Sequence, residues 1–171
     1  MPRFCALALV LAFAATMGGG CGGDGSGIQG VVGELFPELP AALLAQVCWR
    51  GDVTKGDTVS GDVTEDDCDS QDVDPEGVGY YEIYRVRVRT RESVTFDANS
   101  DFDNWLTLLR LVSYDPDTQE VVVQFLVEND DRDAGDLNAL ISYTLSSGVD
   151  YFIAISGYDY YEQGPYTLQI R

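Results

Sequence analysis

The chain has 171 residues, 45% of them hydrophobic and 11% aromatic, and sets 10 basic against 29 acidic side chains for a net charge of −19. Such acidity excludes the basic footprint that nucleic-acid binding needs. The absence of any histidine excludes Ser-His-Asp and Cys-His nucleophilic arrangements and removes the commonest zinc ligand.

Residues 1–21 read MPRFCALALVLAFAATMGGGC. Arg3 supplies a positive start, and Phe4 to Met17 form an apolar run too short for a membrane span and of signal-peptide length. Gly18-Gly19-Gly20-Cys21 follows, and then Gly22-Gly23-Asp24-Gly25-Ser26-Gly27. This stretch resembles a bacterial lipoprotein lipobox, with small residues before the cysteine and a flexible polar tether after it. Gly18 departs from the pattern, which usually has an aliphatic residue there. The resemblance implies a diacylglyceryl group on Cys21 and removal of residues 1–20. It also implies export and a lipid anchor in the cell envelope; because Gly22 is not Asp, the outer membrane is the default. The alternative is ordinary cleavage near Ala12-Phe13-Ala14, which leaves Cys21 free.

Without Arg3 the balance becomes 9 basic against 29 acidic, or −20, and about 150 residues remain, enough for one domain with a core. Cys5 leaves with the signal. Cys48 and Cys68 then form an even pair in an oxidising compartment, where a disulfide is expected. Closing that loop is worth roughly 3 kcal/mol. The alternative is two reduced buried thiols.

Residues 21–33 are a Gly-rich tether. Residues 34–55 read as a short helix and a disulfide-stapled connector. Within 34–47, ELFPELPAALLAQV, Pro40 suits a first helical turn, and Leu39, Leu43, Leu44 and Val47 fall at helical spacing. Its polar face lacks Lys and Arg, so packing on the domain is favoured over an anionic bilayer. Gly51-Asp52-Val53-Thr54 recurs as Gly61-Asp62-Val63-Thr64. Two copies are too few for a repeat array and read as turns leading into strands. Thr58 to Thr64 reads as a short edge strand and Glu65 to Gly79 as a loop.

Alternating strands follow at 80–96, 104–113, 120–127, 139–145, 149–156 and 165–170. Asp115-Pro116-Asp117 turns one hairpin, and Ser146-Ser147-Gly148 separates a later pair. Period-2 patterning with regular turn signals predicts an all-β, antiparallel β-sandwich, jelly-roll-like, behind a short N-terminal helix. The expected core is Val86, Val88, Leu106, Leu108, Val123, Phe125, Ile141, Tyr143, Tyr151, Ile153, Ile155, Tyr166 and Leu168.

Several segments in order resemble one known family. They are Tyr81-Glu82-Ile83-Tyr84-Arg85-Val86, Phe102-Asp103-Asn104-Trp105-Leu106-Thr107-Leu108 and Glu128-Asn129-Asp130-Asp131. Asn138 to Leu145, Ser147 to Ile153 and Gly164-Pro165-Tyr166-Thr167-Leu168 complete the series. Residues 56–171 are similar to the bacterial pre-peptidase C-terminal domain. Glu82 departs from the Asp usual in that family, and Arg132 to Leu137 is a long polar insert. The resemblance implies a non-catalytic β-sandwich module. Some members bind calcium, and some engage protein ligands.

Four constellations could carry chemistry. Asp101 and Asp103 precede one strand, and Asn129, Asp130, Asp131, Asp133 and Asp136 follow another. If the strands pair as the resemblance implies, these loops share one end of the sandwich. Asp101, Asp103, Asn129, Asp130, Asp131 and Asp133 then supply the hard oxygens that calcium takes. The spacing is not an EF-hand, and the competing reading is a solvated rim of Asx turns. Tyr158, Tyr160 and Tyr161 crowd one turn, where exposed rings suit a protein or polysaccharide ligand or else cover the sandwich edge. Arg85, Arg87, Arg89 and Arg91 line one face, either to grip an anionic polymer or, as the acidic surroundings favour, to pair across strands. Asp130 with Asp131, or Asp159 with Glu162, could form an acid/base pair.

These observations predict a non-catalytic, lipid-anchored envelope binding module, stabilised by calcium, with a protein or polysaccharide ligand. The alternatives are a purely structural envelope lipoprotein and a carboxylate-dependent hydrolase.

Overall fold

The computed structural model describes residues 8–11, 39–41, 44, 47–72, 79–118 and 120–171. Lipidation at Cys21, the tether, and residues 73–78 of the expected loop lie outside them. The strands are β1 (Ala8–Leu11), β2 (Trp49–Val53), β3 (Thr58–Val63), β4 (Cys68–Asp69), β5 (Tyr80–Val86), β6 (Glu92–Ser100), β7 (Asn104–Tyr114), β8 (Val121–Asn129), β9 (Leu140–Leu145), β10 (Tyr151–Gly157) and β11 (Gly164–Ile170). One sheet runs β1-β8-β7-β10-β5-β2 with β4 also on β5, and the other runs β3-β11-β6-β9; β1 falls within residues 1–20, the expected signal peptide, whose removal would leave β8 at the sheet edge. The expected antiparallel sandwich is the observed one, with one parallel pairing among the described residues, β2 on β5.

Period-2 alternation builds the core. Val94, Phe96 and Ala98 of β6 and Tyr166, Leu168 and Ile170 of β11 point across at Leu106, Leu108, Ile153 and Ile155, all buried. Each buried Val, Leu, Ile or Phe among them contributes roughly 1.5–3 kcal/mol. From β8 onward the chain alternates between sheets, so the Ser146–Gly148 turn crosses from one sheet to the other. The outer face of the larger sheet carries a second apolar cluster of Tyr81, Ile83 and Phe152, covered by Leu39, Val47 and Trp49. Within the expected helix, Leu44 N–H donates to the Pro40 carbonyl at 3.2 Å. The expected disulfide between Cys48 and Cys68 is present, its sulfurs 2.08 Å apart.

Several expectations need correction. The strand read over 80–96 is two strands, β5 and β6, in different sheets, with a bend at 89–91. The sandwich takes in β2, which lies in the segment read as connector. The repeated Gly-Asp-Val-Thr marks strand exits rather than approaches. Val53 and Val63 are the last residues of β2 and β3. Asp57 then caps Thr54 N–H at 2.7 Å, and Asp67 caps Thr64 N–H at 2.8 Å.

Val123 and Phe125 are not core. Residue pairing jumps from Leu108↔Val127 to Leu109↔Phe125, so a bulge at Leu126 turns Phe125 onto the outer face, 38% exposed. Val123 pairs Leu111 on that same outer face. Tyr143 is only partly buried.

Candidate functional site

Asn104 organises one end of the sandwich. It occupies an inward position at the start of β7, in phase with Leu106 and Leu108, and is fully buried. Its Nδ2 donates to Ser100 Oγ at 2.7 Å and Asn138 Oδ1 at 2.8 Å, while its Oδ1 accepts from Ala139 N–H at 2.8 Å. It therefore ties the 100–103 bend to the loop after β8. The polar insert is anchored as well. Arg132 reaches Asp97 of β6 and the Ala98 carbonyl, the latter at 3.0 Å, and pairs with Asp136 at 3.2 Å.

The turn after β10 folds over the same end. Gly157 permits this, since a Cβ there would overlap the Glu162 carbonyl. Tyr158 N–H donates to the Asp103 carbonyl at 2.9 Å, and Glu162 accepts from Asp103 N–H at 3.1 Å.

These contacts gather carboxylates from three loops. Burial raises the Asp103 carboxyl above its usual range, and Asp131, Glu162, Asp130 and Asp159 raise it further. Asp103 Oδ1 is closed from solvent and accepts no hydrogen bond. Of the expected calcium ligands, Asp130 and Asp131 thus lie within electrostatic reach of Asp103, as do Asp159 and Glu162, which were not expected as ligands. Asn129 pairs Leu106 within the ladder. Asp133 is exposed and bridges Asp136, and Asp101 is exposed on the bend. Among the described residues no group of three or more Asp, Glu, Cys or His side chains is already gathered closely enough to hold a metal.

The three tyrosines have three different situations. Tyr160 donates to Asp69 at 2.7 Å and packs edge-on against Tyr80, with centroids 5.3 Å apart. The bond to Asp69 pushes its hydroxyl up to about 12, so Tyr160 holds the turn down and is not a free contact residue. Tyr158 is half exposed and leans on Trp105 at 5.8 Å, with planes tilted by 41°. Tyr161 is 93% exposed. Trp105 was not among the expected site residues. The signal for it was its outward phase on β7, opposite to Leu106.

The arginine face is taken up by pairing for half its length. Arg85 is buried against Asp52 through bonds of 2.7 and 2.8 Å, and Arg87 reaches Asp52 at 3.2 Å. Arg89 and Arg91 lie beyond β5 on the exposed bend.

A second polar cluster sits between the sheets. Glu82, buried, accepts from the Tyr166 hydroxyl, which lies 2.8 Å from the Tyr84 hydroxyl. Arg50 bridges Glu82, at 2.8 Å, and Asp67. Gly61 passes so close that a Cβ would strike the Tyr166 hydroxyl and the Glu82 carboxylate. The network joins β2, β5 and β11 to the turn after β3. Glu82, a departure from the family pattern, is thus a link between the sheets.

No family model matches the chain, and no curated protein matches it. Among solved structures it is similar to the pre-peptidase C-terminal domain of a Bacillus anthracis collagenase, at 13% identity and TM-score 0.46, over 71% of this chain and 95% of that one. That domain is of the family the sequence resembles. The chain is also similar to CorA, a surface-associated copper-binding protein of Methylomicrobium album BG8, at 9% identity and TM-score 0.46, over 70% and 96% of the two chains. A third is PliG of Aeromonas hydrophila, a periplasmic inhibitor of g-type lysozyme, at 14% identity and TM-score 0.41, over 72% and 99%.

Proposed function

We propose that the protein is a non-catalytic binding module of the cell envelope, exported and held by lipid on Cys21, whose ligand-binding end is the turn at Tyr158 to Tyr161. One observation carries the reading. Tyr158 and Tyr161 stay exposed, at 50% and 93%, on a turn held by the Tyr158 N–H on the Asp103 carbonyl and by the Tyr160 hydroxyl on Asp69. Rigid exposed rings make contact area at little entropic cost. The ligand is a protein or a polysaccharide. The Arg3 start, the apolar run from Phe4 to Met17 and the small residues before Cys21 support the anchor, and Gly22 in place of Asp supports the outer membrane.

Calcium is the proposed stabiliser, between Asp103 and the Asp130-Asp131 pair. The unpartnered Asp103 Oδ1 and the surrounding carboxylates support it. Thermal unfolding in millimolar calcium and in chelator tests this part. A site filled to about 100 times its dissociation constant adds about 2.7 kcal/mol. A rise in Tm that Asp131→Ala removes supports the site, and no rise makes the loops a solvated rim.

The binding reading is tested on a panel of envelope polysaccharides and immobilised envelope proteins. The expected result is a ligand whose binding is lost in Tyr158→Ala/Tyr161→Ala while the circular dichroism spectrum is kept. A panel without any such ligand overturns the reading in favour of a structural lipoprotein.

A further inference from the structure

The tyrosine end carries negative charge that the fold does not balance. Elsewhere buried carboxylates meet arginine: Asp97 meets Arg132 and Arg171, and Glu82 and Asp67 share Arg50. Asp103, Asp130, Asp131, Asp159 and Glu162 form no ion pair among the described residues. Asp103 Oδ1 is shut away from water without a donor.

The Trp105–Tyr158 ring pair shares its turn and strand with two of these acids: Tyr158 precedes Asp159, Trp105 follows Asp103 by two residues on the chain, and the Tyr158 N–H donates to the Asp103 carbonyl. An aromatic face attracts a cation through its quadrupole. Neighbouring carboxylates accept charge-assisted hydrogen bonds from the same cation. A neutral sugar would use the rings and leave the charges unmet.

We propose that this end recognises a basic protein segment, with a lysine or arginine side chain on the Trp105–Tyr158 pair and its charge toward Asp103, Asp159 and Glu162. The inference rests on the reading of the tyrosine turn as the binding end. A protein segment fits better than a lone amine because the 93% exposed Tyr161 extends the surface beyond one side chain. The net charge of −19 draws a basic partner in from a distance.

The test titrates a labelled deca-lysine peptide into the full-length protein in detergent, in low salt and chelator, by fluorescence anisotropy. Tyr158→Ala is expected to weaken binding about fivefold, the scale of one cation–π contact, and Tyr158→Phe, which keeps the ring, to retain it. Asp159→Asn with Glu162→Gln should weaken it about tenfold. Glu65→Gln with Asp66→Asn removes the same charge from an exposed turn and should cost less than about twofold. Equal losses in the two charge pairs, an unaffected Tyr158→Ala, or no binding at all overturns the inference. The binding-module reading fails separately, when no member of the protein and polysaccharide panel depends on Tyr158 and Tyr161.

Discussion

Arg50→Ala isolates the link between the sheets. Arg50 is the cation shared by Glu82 and Asp67, whose side chains are 4% and 2% exposed, while its own is 46% exposed. Removing one partner of a fully buried ion pair costs about 3–5 kcal/mol. Water reaches the half-exposed Arg50 position and screens the orphaned carboxylates, which brings the expected loss to about 2–3 kcal/mol. The assay is urea unfolding followed by tryptophan fluorescence, with a lower midpoint and an unchanged slope.

The pH dependence carries a second check. Burial raises the folded-state Glu82 carboxyl, against the lowering effects of the Tyr166 bond and Arg50. For an acid raised in the folded state, both states hold the proton below the unfolded value of about 4.3. As pH climbs toward the folded value the unfolded chain releases its proton first, and stability falls. Loss of Arg50 raises the folded value further, so the deficit of Arg50→Ala grows from about pH 4 upward. Glu82→Gln added to Arg50→Ala flattens that growth. A loss under about 0.5 kcal/mol, or one equal at acid and neutral pH, would refute this account.

Asn104→Ala leaves the Ala139 N–H without its partner in the interior and removes two bonds to Ser100 and Asn138, and should cost about 2–4 kcal/mol by chemical denaturation. It should also weaken any ligand of the tyrosine end, since Asn104 holds the bend before β7 to the loop after β8. Replacing Cys48 and Cys68 by serine should lower stability by roughly 3 kcal/mol, read against the wild type under non-reducing conditions. Tyr160→Ala should cost about 1–2 kcal/mol through its lost bond to Asp69 and ring contact with Tyr80. Tyr161→Ala should leave stability within about 0.5 kcal/mol, and equal effects would contradict the two roles assigned here.

The strands after residue 100 were legible because Asp115-Pro116-Asp117, Ser147-Gly148 and Gly164-Pro165 punctuate alternating runs. The break between β5 and β6 was not, because Arg89-Thr90-Arg91 contains neither glycine nor proline and continues the alternation. Phe125 was misplaced because period-2 counting assumes an unbroken register, and the Leu126 bulge breaks it. β2 was hidden because a parallel pairing with β5 is a long-range event without local signal. For the site, acidity and tyrosines could be read directly, but not which of them meet. Asp159 and Glu162 join Asp103 only because Gly157 lets the turn fold back. Tyr160 looked equivalent to Tyr161 until Asp69 was placed opposite it.

The Cys48–Cys68 bridge also decides how the domain carries mechanical load. It closes a loop holding residues 49–67, which includes β2 and β3. A pull applied from the N-terminal side enters at Cys48 and crosses the covalent bond to Cys68. The chain between them stays slack. Tension then reaches β4 and β5 without first peeling β2 or β3 from the sandwich. With the bridge reduced, the same pull falls on the β2–β5 hydrogen bonds one after another, and the edge of the larger sheet becomes the first part to unravel.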